Sequence, residues 1–407
     1  MDKTLTRQLY IMRALHIATF GYCFAIPVMV LYITDLFGKP EYYFYLAVLQ
    51  AFIAFTFGIP LGKLADKYGR KPALIIGLAT SSISWFVFFY APTLPLITAA
   101  FALRGVGEIL LSTSSAAYLF DLLQSHNKTK AYKKEEAKKS SYGIIIITVL
   151  TLAAGLVYQI NPGLPFLLNS LFCLLMLFFV IFGLPDIKPH AKSISLPLGD
   201  KKTSVAKKIF SLEKPLIWLV LSHASWFGVI VFVIFGYQAH LQDLGAGSVI
   251  IATAISAVYI SRAAGAWLVG RDWHEHHIGI AALIAIGLIA LSAFSSSIWL
   301  VVFLLLLSSL AREFITTSLR TLLTTKSPAQ YRSMVKGTSV MYGSVISMGQ
   351  NALAGVMVTI WYGQGVLLMQ AGLLAIVFGG CWFMYRSRSR RDLKLTNQPT
   401  PAIFPDQ

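Results

Sequence analysis

Charge is scarce in this chain. Charged residues make up 13% of its 407 residues, against roughly 25% in an ordinary soluble domain. With 56% hydrophobic residues and a mean hydropathy of +0.68, there is too little polar surface to cover the molecule in water. Cysteine is scarcer still. Cys23, Cys173 and Cys381 all fall inside apolar runs and form no CxxC pair, so neither a disulfide framework nor a cysteine metal site is expected. The first apolar run is too long for a signal-peptide core and no small-residue cleavage site follows it. No nucleophile–base constellation and no glycine-rich phosphate loop is present, so neither enzymatic chemistry nor a cofactor is expected. Acids are the rarer charge, 17 Asp and Glu against 34 Lys and Arg.

What the chain has instead is long apolar runs. A membrane-crossing helix needs about 20 apolar residues. Twelve runs qualify: 10–36, 42–62, 72–91, 95–122, 141–160, 164–184, 215–240, 247–270, 278–296, 298–324, 336–361 and 364–385. They are numbered here as spans 1 to 12. Backbone in lipid must bond internally, and the strand-length alternation of a barrel is absent from the sequence. An all-α integral membrane fold is expected, with the lipid bilayer as its main solvent. Gly and Ser recur within the runs, which lets membrane helices approach closely.

The basic residues mark the orientation. Lys and Arg in short loops concentrate on the cytoplasmic side. If the spans alternate, 28 of the 34 Lys and Arg fall on one side, five lie within spans, and Lys39 alone is opposite. Both termini are therefore expected in the cytoplasm, with the protein multi-pass in the cytoplasmic (inner) cell membrane. The basic excess is a topology signal, and nucleic-acid binding is not expected.

The chain also repeats itself. "YGIIIITVLTLAAGLVYQINPGLPFLL" from Tyr142 aligns without a gap on "YGSVISMGQNALAGVMVTIWYGQGVLL" from Tyr342. The pairs Gly143/Gly343, Ala154/Ala354, Gly155/Gly355 and Gly163/Gly363 are identical at a constant offset. Two six-helix bundles are expected, 1–184 and 215–385, joined by a cytoplasmic linker, 185–214, and followed by a disordered cytoplasmic tail, 386–407. Within the linker, "VAKKIFSLEKP" suits a helix lying on an anionic leaflet. Duplicated halves with a site between them are a transporter architecture.

The turn "GKLADKYGRKP", Gly62 to Pro72, separates spans 2 and 3. It resembles the signature turn of the major facilitator superfamily, Gly-x-Leu-Ala-Asp-x-x-Gly-Arg-Lys. "PVMVLYITDLFG" from Pro27, and Arg104 followed by glycines in span 4, resemble the drug-exporter-like branch. Span 5 departs from that branch, since "TLAAGLVYQI" keeps Gly155 but has no Gly-Pro pair. The second half keeps only Gly270-Arg271 of the turn. The resemblance implies a conformational latch. Asp66 would cap span 11 of the other half when the site faces outward, where a helix N-terminus favours negative charge. Arg70 would pair with Asp121 at the cytoplasmic end of span 4, and Gly62 and Gly69 would shape the turn.

The resemblance further implies that spans 1, 4, 7 and 10 line a central cavity. Those spans carry Arg13, Arg104, Glu108, His223, Arg312, Glu313 and Arg320. An ionisable group inside a span is a functional candidate. Arg104 and Glu108 are four residues apart and can pair on one helix face; a purely structural pair is the alternative. Glu108 lies about 20 Å from the outer start of span 4 at ~1.5 Å per residue, deep enough for proton coupling. Tyr22, Tyr118, Trp226 and Tyr237 are candidate cavity aromatics, with helix packing as the plainer role. "WHEHH" from Trp273 sits in a short turn without a scaffold, and no metal is expected there. The expected function is a monomeric secondary active transporter of a small organic solute by alternating access. A proton-coupled exporter of a drug or secreted metabolite, such as a siderophore, leads. An importer of an organic anion or zwitterionic nutrient, and a non-transporting membrane sensor, are the alternatives.

Overall fold

The computed structural model describes residues 3–20, 24–90, 93–128, 131–187, 214–269, 274–326 and 332–396. Among them every regular element is a helix. Span 1 comes in two pieces, α1 (Lys3–Phe20) and α2 (Met29–Phe37), the second led in by a 3-10 turn at Ile26–Val28. Spans 2 to 6 are α3 (Glu41–Tyr68), α4 (Arg70–Tyr90), α5 (Leu94–Ser125), α6 (Tyr132–Ile160) and α7 (Leu164–Gly183). Span 7 is again in two pieces, α8 (Lys214–Ile230) and α9 (Val233–Asp243). Spans 8 to 10 are α10 (Ser248–Leu268), α11 (Glu275–Ala293) and α12 (Ile298–Lys326). Then α13 (Arg332–Leu373) runs through a break at Trp361 and Tyr362, the latter at φ 54°. It holds span 11 and the start of span 12. A π-helical turn (Leu374–Phe378) and α14 (Gly379–Thr396) complete span 12.

Nine stretches of the described residues are long and apolar enough to cross a membrane. The last of them, Thr338–Ser389, contains the break and so holds two spans. The two-piece span 1 and α3 supply the rest. The face where α1 begins and α14 ends is called here the terminal face, and the other the distal face.

Several ends differ from expectation. α5 has 32 residues and α6 has 29, or about 48 and 44 Å, against a hydrocarbon core of about 30 Å. Both overrun the core on the terminal face, so most of the expected 123–140 loop is helix. α14 likewise continues to Thr396, where a disordered tail from 386 was expected. Most of the linker (188–213) and the last residues (397–407) lie outside the described residues. So does Tyr22. The turn between α3 and α4 is a single residue, Gly69, at φ +103°, a backbone that L side chains rarely adopt. A Cβ at Gly62 would meet nothing within 4 Å.

Two of the repeated glycines lie at close helix crossings. A Cβ at Gly155, in span 5, would come within 2.7 Å of Ala252 and of the Ser248 backbone in span 8. A Cβ at Gly355, in span 11, would come within 2.5 Å of the Tyr45 ring in span 2. Ala154 and Ala354 beside them are both fully buried. Residues 200 positions apart thus make matching contacts, span 5 on span 8 and span 11 on span 2. Ser248 Oγ donates to the Gly155 carbonyl at 3.0 Å, and Ser256 Oγ to that of Thr148 at 2.6 Å.

Candidate functional site

Glu108 and Arg104 share a face of α5, but they do not meet directly. Gln50 of α3 stands between them. Its Nε2 donates to Glu108 Oε2 at 2.5 Å, and its Oε1 accepts from Arg104 Nη2 at 2.5 Å. The Arg104 guanidinium also lies 5.1 Å from the rings of both Trp85 and Phe101. Burying a charge is tolerated only when it is paired and hydrogen-bonded. Arg104, only 7% exposed, meets that condition through an amide and two aromatic faces. Glu108 is half-buried.

The second half has its own charged cluster. Arg262 of span 8 donates from Nε to Glu313 Oε2 at 2.8 Å, and the Tyr259 ring lies 5.7 Å from its guanidinium. Span 8 is not among the expected cavity helices, yet its Arg262 is the partner of Glu313. Arg312, adjacent in sequence, points elsewhere, as neighbours on a helix diverge by about 100°. It borders a small cavity with Ile230, Val233, Ser308 and Ser309, next to the break in span 7. Its guanidinium makes no hydrogen bond or ion pair among the described residues, and its buried Nε has no partner. Span 11 adds Gln350, with both amide atoms buried and unpartnered, and Asn351, whose Oδ1 is in the same condition. Buried polar atoms usually have partners, so these atoms are open to a further hydrogen bond.

On the terminal face the Arg70 Nε lies 3.1 Å from Asp121 Oδ2, the pairing implied by the signature turn. Lys71 adds an ion pair of 3.4 Å with Asp186 at the end of span 6. The side chain of Asp66 lies outside the described residues. Arg13, a candidate solute contact, is placed differently. Its Nη2 lies 2.6 Å from Glu135 Oε2, and the rings of Tyr10 and Tyr142 flank it at 5.0 and 5.4 Å. Burial pushes the Glu135 carboxyl up, but bonds and charges from Arg13 and Lys138 outweigh it and hold it below the usual carboxylate range. Arg13 is thus committed to an ionised pair where α1 meets the overrun of α6.

The described candidate aromatics sit inside the helix packing. Tyr118 is 1% exposed and donates to the Pro185 carbonyl at 2.7 Å. Trp226 donates from Nε1 to Thr316 Oγ1 at 3.0 Å. The Tyr237 hydroxyl accepts from Ser292 Oγ at 3.0 Å. Each polar tip is already satisfied. His223 joins span 7 to span 11, its Nδ1 2.8 Å from Ser339 Oγ. Aromatics not singled out in the sequence close the distal face. Tyr43 of span 2 meets Phe235 of span 7 at 4.7 Å between ring centroids, and Tyr158 donates to Asp35 at 2.6 Å.

Gln238 of α9 makes the tightest polar link between spans 1 and 7. Its Nε2 donates to the Ile26 carbonyl at 2.7 Å, and its Oε1 accepts from the Val30 N–H at 3.4 Å. Those two backbone groups stand four residues apart, the spacing of an ordinary helical hydrogen bond. The side-chain amide is inserted where that bond would be.

Comparison with known proteins agrees with this geometry. The sequence model described as Major Facilitator Superfamily matches residues 9–348. Over 145 residues the chain is 34% identical to the Major facilitator superfamily multidrug transporter mfsB of Aspergillus fumigatus, covering 32% of this chain and 24% of that protein. It is 24% identical over 370 residues to the inner membrane transport protein YajR of Escherichia coli, covering 88% of this chain and 78% of that one. The crystal structure of the nucleoside transporter NupG superposes with a TM-score of 0.72 at 15% identity, over 95% of this chain and 100% of that structure.

Proposed function

The chain belongs to the Major Facilitator Superfamily, and we propose that it carries a small organic solute out of the cell by alternating access, coupled to proton movement. The observation that carries this proposal is the pair of charged clusters, Arg104–Gln50–Glu108 and Arg262–Glu313, with Arg312 beside the second and left unbonded. Glu108 is the proton carrier in this scheme, and Arg312, Gln350 and Asn351 hold the solute. Export is favoured by the multidrug name of the Aspergillus fumigatus relative and by the span 1 and span 4 motifs. Import of an organic anion is the second reading, favoured by the missing Gly-Pro pair in span 5. The halves are assigned as 1–184 and 215–385. The terminal face is assigned to the cytoplasm from the distribution of Lys and Arg, in an inner membrane as named for YajR.

Cargo charge follows from Arg312. A guanidinium stays charged and presents a fork suited to carboxylates and phosphates. Anionic or zwitterionic solutes are therefore expected to bind better than lipophilic cations. Arg312→Gln should weaken binding of the carboxylate-bearing solute by more than tenfold, which corresponds to about 1.4 kcal/mol. Binding and counterflow in proteoliposomes with a panel of both classes would decide. A preference for the cations, unchanged in the variant, would defeat the assignment. Transport that ignores collapse of the pH gradient would remove the proton.

The latch has its own test. Asp66→Asn and Asp121→Asn are each expected to cut transport at least severalfold with normal membrane insertion. Restoring the Arg70–Asp121 pair in reverse, as Arg70→Asp with Asp121→Arg, should recover part of the activity lost by either single change. Full activity of both asparagine variants would leave the turn with topology as its sole role.

A further inference from the structure

Spans 9 and 12 leave a groove between them near the terminal face, with a cavity volume of about 620 Å3. Its apolar part is lined by Ile280, Leu283, Phe378 and Phe383. Leu283 and Phe383 are 72% and 70% exposed, so in a membrane they face hydrocarbon. Glycine thins one wall. A Cβ at Gly279 would stand 3.0 Å from the Trp382 indole nitrogen. The π-helical turn Leu374–Phe378 shapes the other wall, and such wide turns often mark functional positions in helices. From His276 to Ile286, both lining residues, the groove runs about 15 Å at ~1.5 Å per residue. That is the hydrocarbon depth of one leaflet, half of about 30 Å.

The mouth of the groove is polar and basic. His276, Arg386 and Ser387 line it. One carboxylate, Glu275, serves two cations there, at 3.2 Å from Arg386 Nη1 and 3.6 Å from Lys326 Nζ. It also accepts from the Tyr385 hydroxyl at 3.2 Å. Positive charge is therefore in excess before Arg388, 5.7 Å over the Trp218 ring, is counted. An apolar slot one leaflet deep, ending in a surplus of cations at the membrane interface, matches a phosphate attached to an acyl chain.

We propose that this groove binds one anionic phospholipid from the terminal-face leaflet. An acyl chain lies along Ile280, Leu283 and Phe383, and the headgroup phosphate sits on Arg386 and His276. The site rests on the chain's being a membrane protein and is independent of cargo, direction and proton coupling.

Native mass spectrometry of the full chain in detergent tests it, using palmitoyl-oleoyl phosphatidylglycerol and the matching phosphatidylcholine as probes. One phosphatidylglycerol should stay bound under activation that strips phosphatidylcholine, with a preference of at least about tenfold. Arg386→Gln should erase that preference. Leu283→Trp, which fills the groove and leaves the Glu275 ion pairs intact, should abolish retention of phosphatidylglycerol as well. Arg7→Gln, on α1 of the other half, should change nothing. Equal retention by wild type, Arg386→Gln and Leu283→Trp would overturn the site. Displacement of the lipid by inorganic phosphate alone would overturn its assignment to a lipid.

Discussion

Glu108→Gln should abolish accumulation driven by a pH gradient, at least about tenfold, while downhill exchange of the same solute stays measurable. The reason is the Gln50 relay. With Glu108 ionised, Gln50 gives its N–H to the carboxylate and its carbonyl to Arg104. A proton on Glu108 turns that oxygen into a donor. Gln50 then has to offer its carbonyl to Glu108 and its NH2 to Arg104, two donors facing each other. Protonation thereby costs Arg104 the Gln50 carbonyl as an acceptor. A glutamine at 108 fixes one arrangement and breaks the dependence on pH. Gln50→Leu should uncouple differently, by leaving proton binding in place while its effect on solute affinity fades. Reconstituted transport with and without an imposed pH gradient, with a pH dye inside the vesicles, separates the two. Gradient-driven accumulation at wild-type level by Glu108→Gln would exclude Glu108 as the carrier.

Gly155→Leu should be strongly damaging although it removes no polar group. The atoms its side chain would strike include the Ser248 carbonyl oxygen and the Val249 Cα. Backbone of another helix cannot swing aside, so spans 5 and 8 must separate. Transport should fall by more than about tenfold. Spin labels at Lys39 and Ser296, both on the distal face, should move apart by several ångströms. The three atoms nearest a Cβ at Gly355 all belong to the Tyr45 ring, the end of a side chain that is 44% exposed. The effect of Gly355→Leu should be clearly milder. Unchanged label distances in Gly155→Leu would mean that this crossing does not hold the distal face shut.

The Arg70–Asp121 pairing was legible because a short, unusual turn fixes one partner and helix length fixes the other. The glycine crossings were legible as a repeat. Gln50 and Gln238 were not. A neutral amide carries no charge to flag it, and a hydropathy window averages it into its apolar neighbours. Glu135 was hidden by the lysines around it, in a segment read as loop because charge is rare in lipid. Yet α6 simply outruns the membrane there. The surroundings of the aromatics were hidden for a further reason. A helix in lipid is apolar all round, so its sequence has little period to say which face meets protein. Tyr118, Trp226 and Tyr237 were on the expected spans but face their own neighbours.

The Gln238 amide sits between the Ile26 carbonyl and the Val30 N–H. When spans 1 and 7 part, those two backbone groups can close on each other and form the ordinary helical bond. That bond replaces the two that Gln238 gives up, so no backbone group is stranded in a medium where that would cost several kcal/mol, while the Gln238 amide has to find new partners. A hinge built this way lowers the backbone cost of parting. Gln238→Leu would remove that bridge and leave the Ile26 carbonyl and the Val30 N–H to bond each other, so the parted form should gain over the shut one.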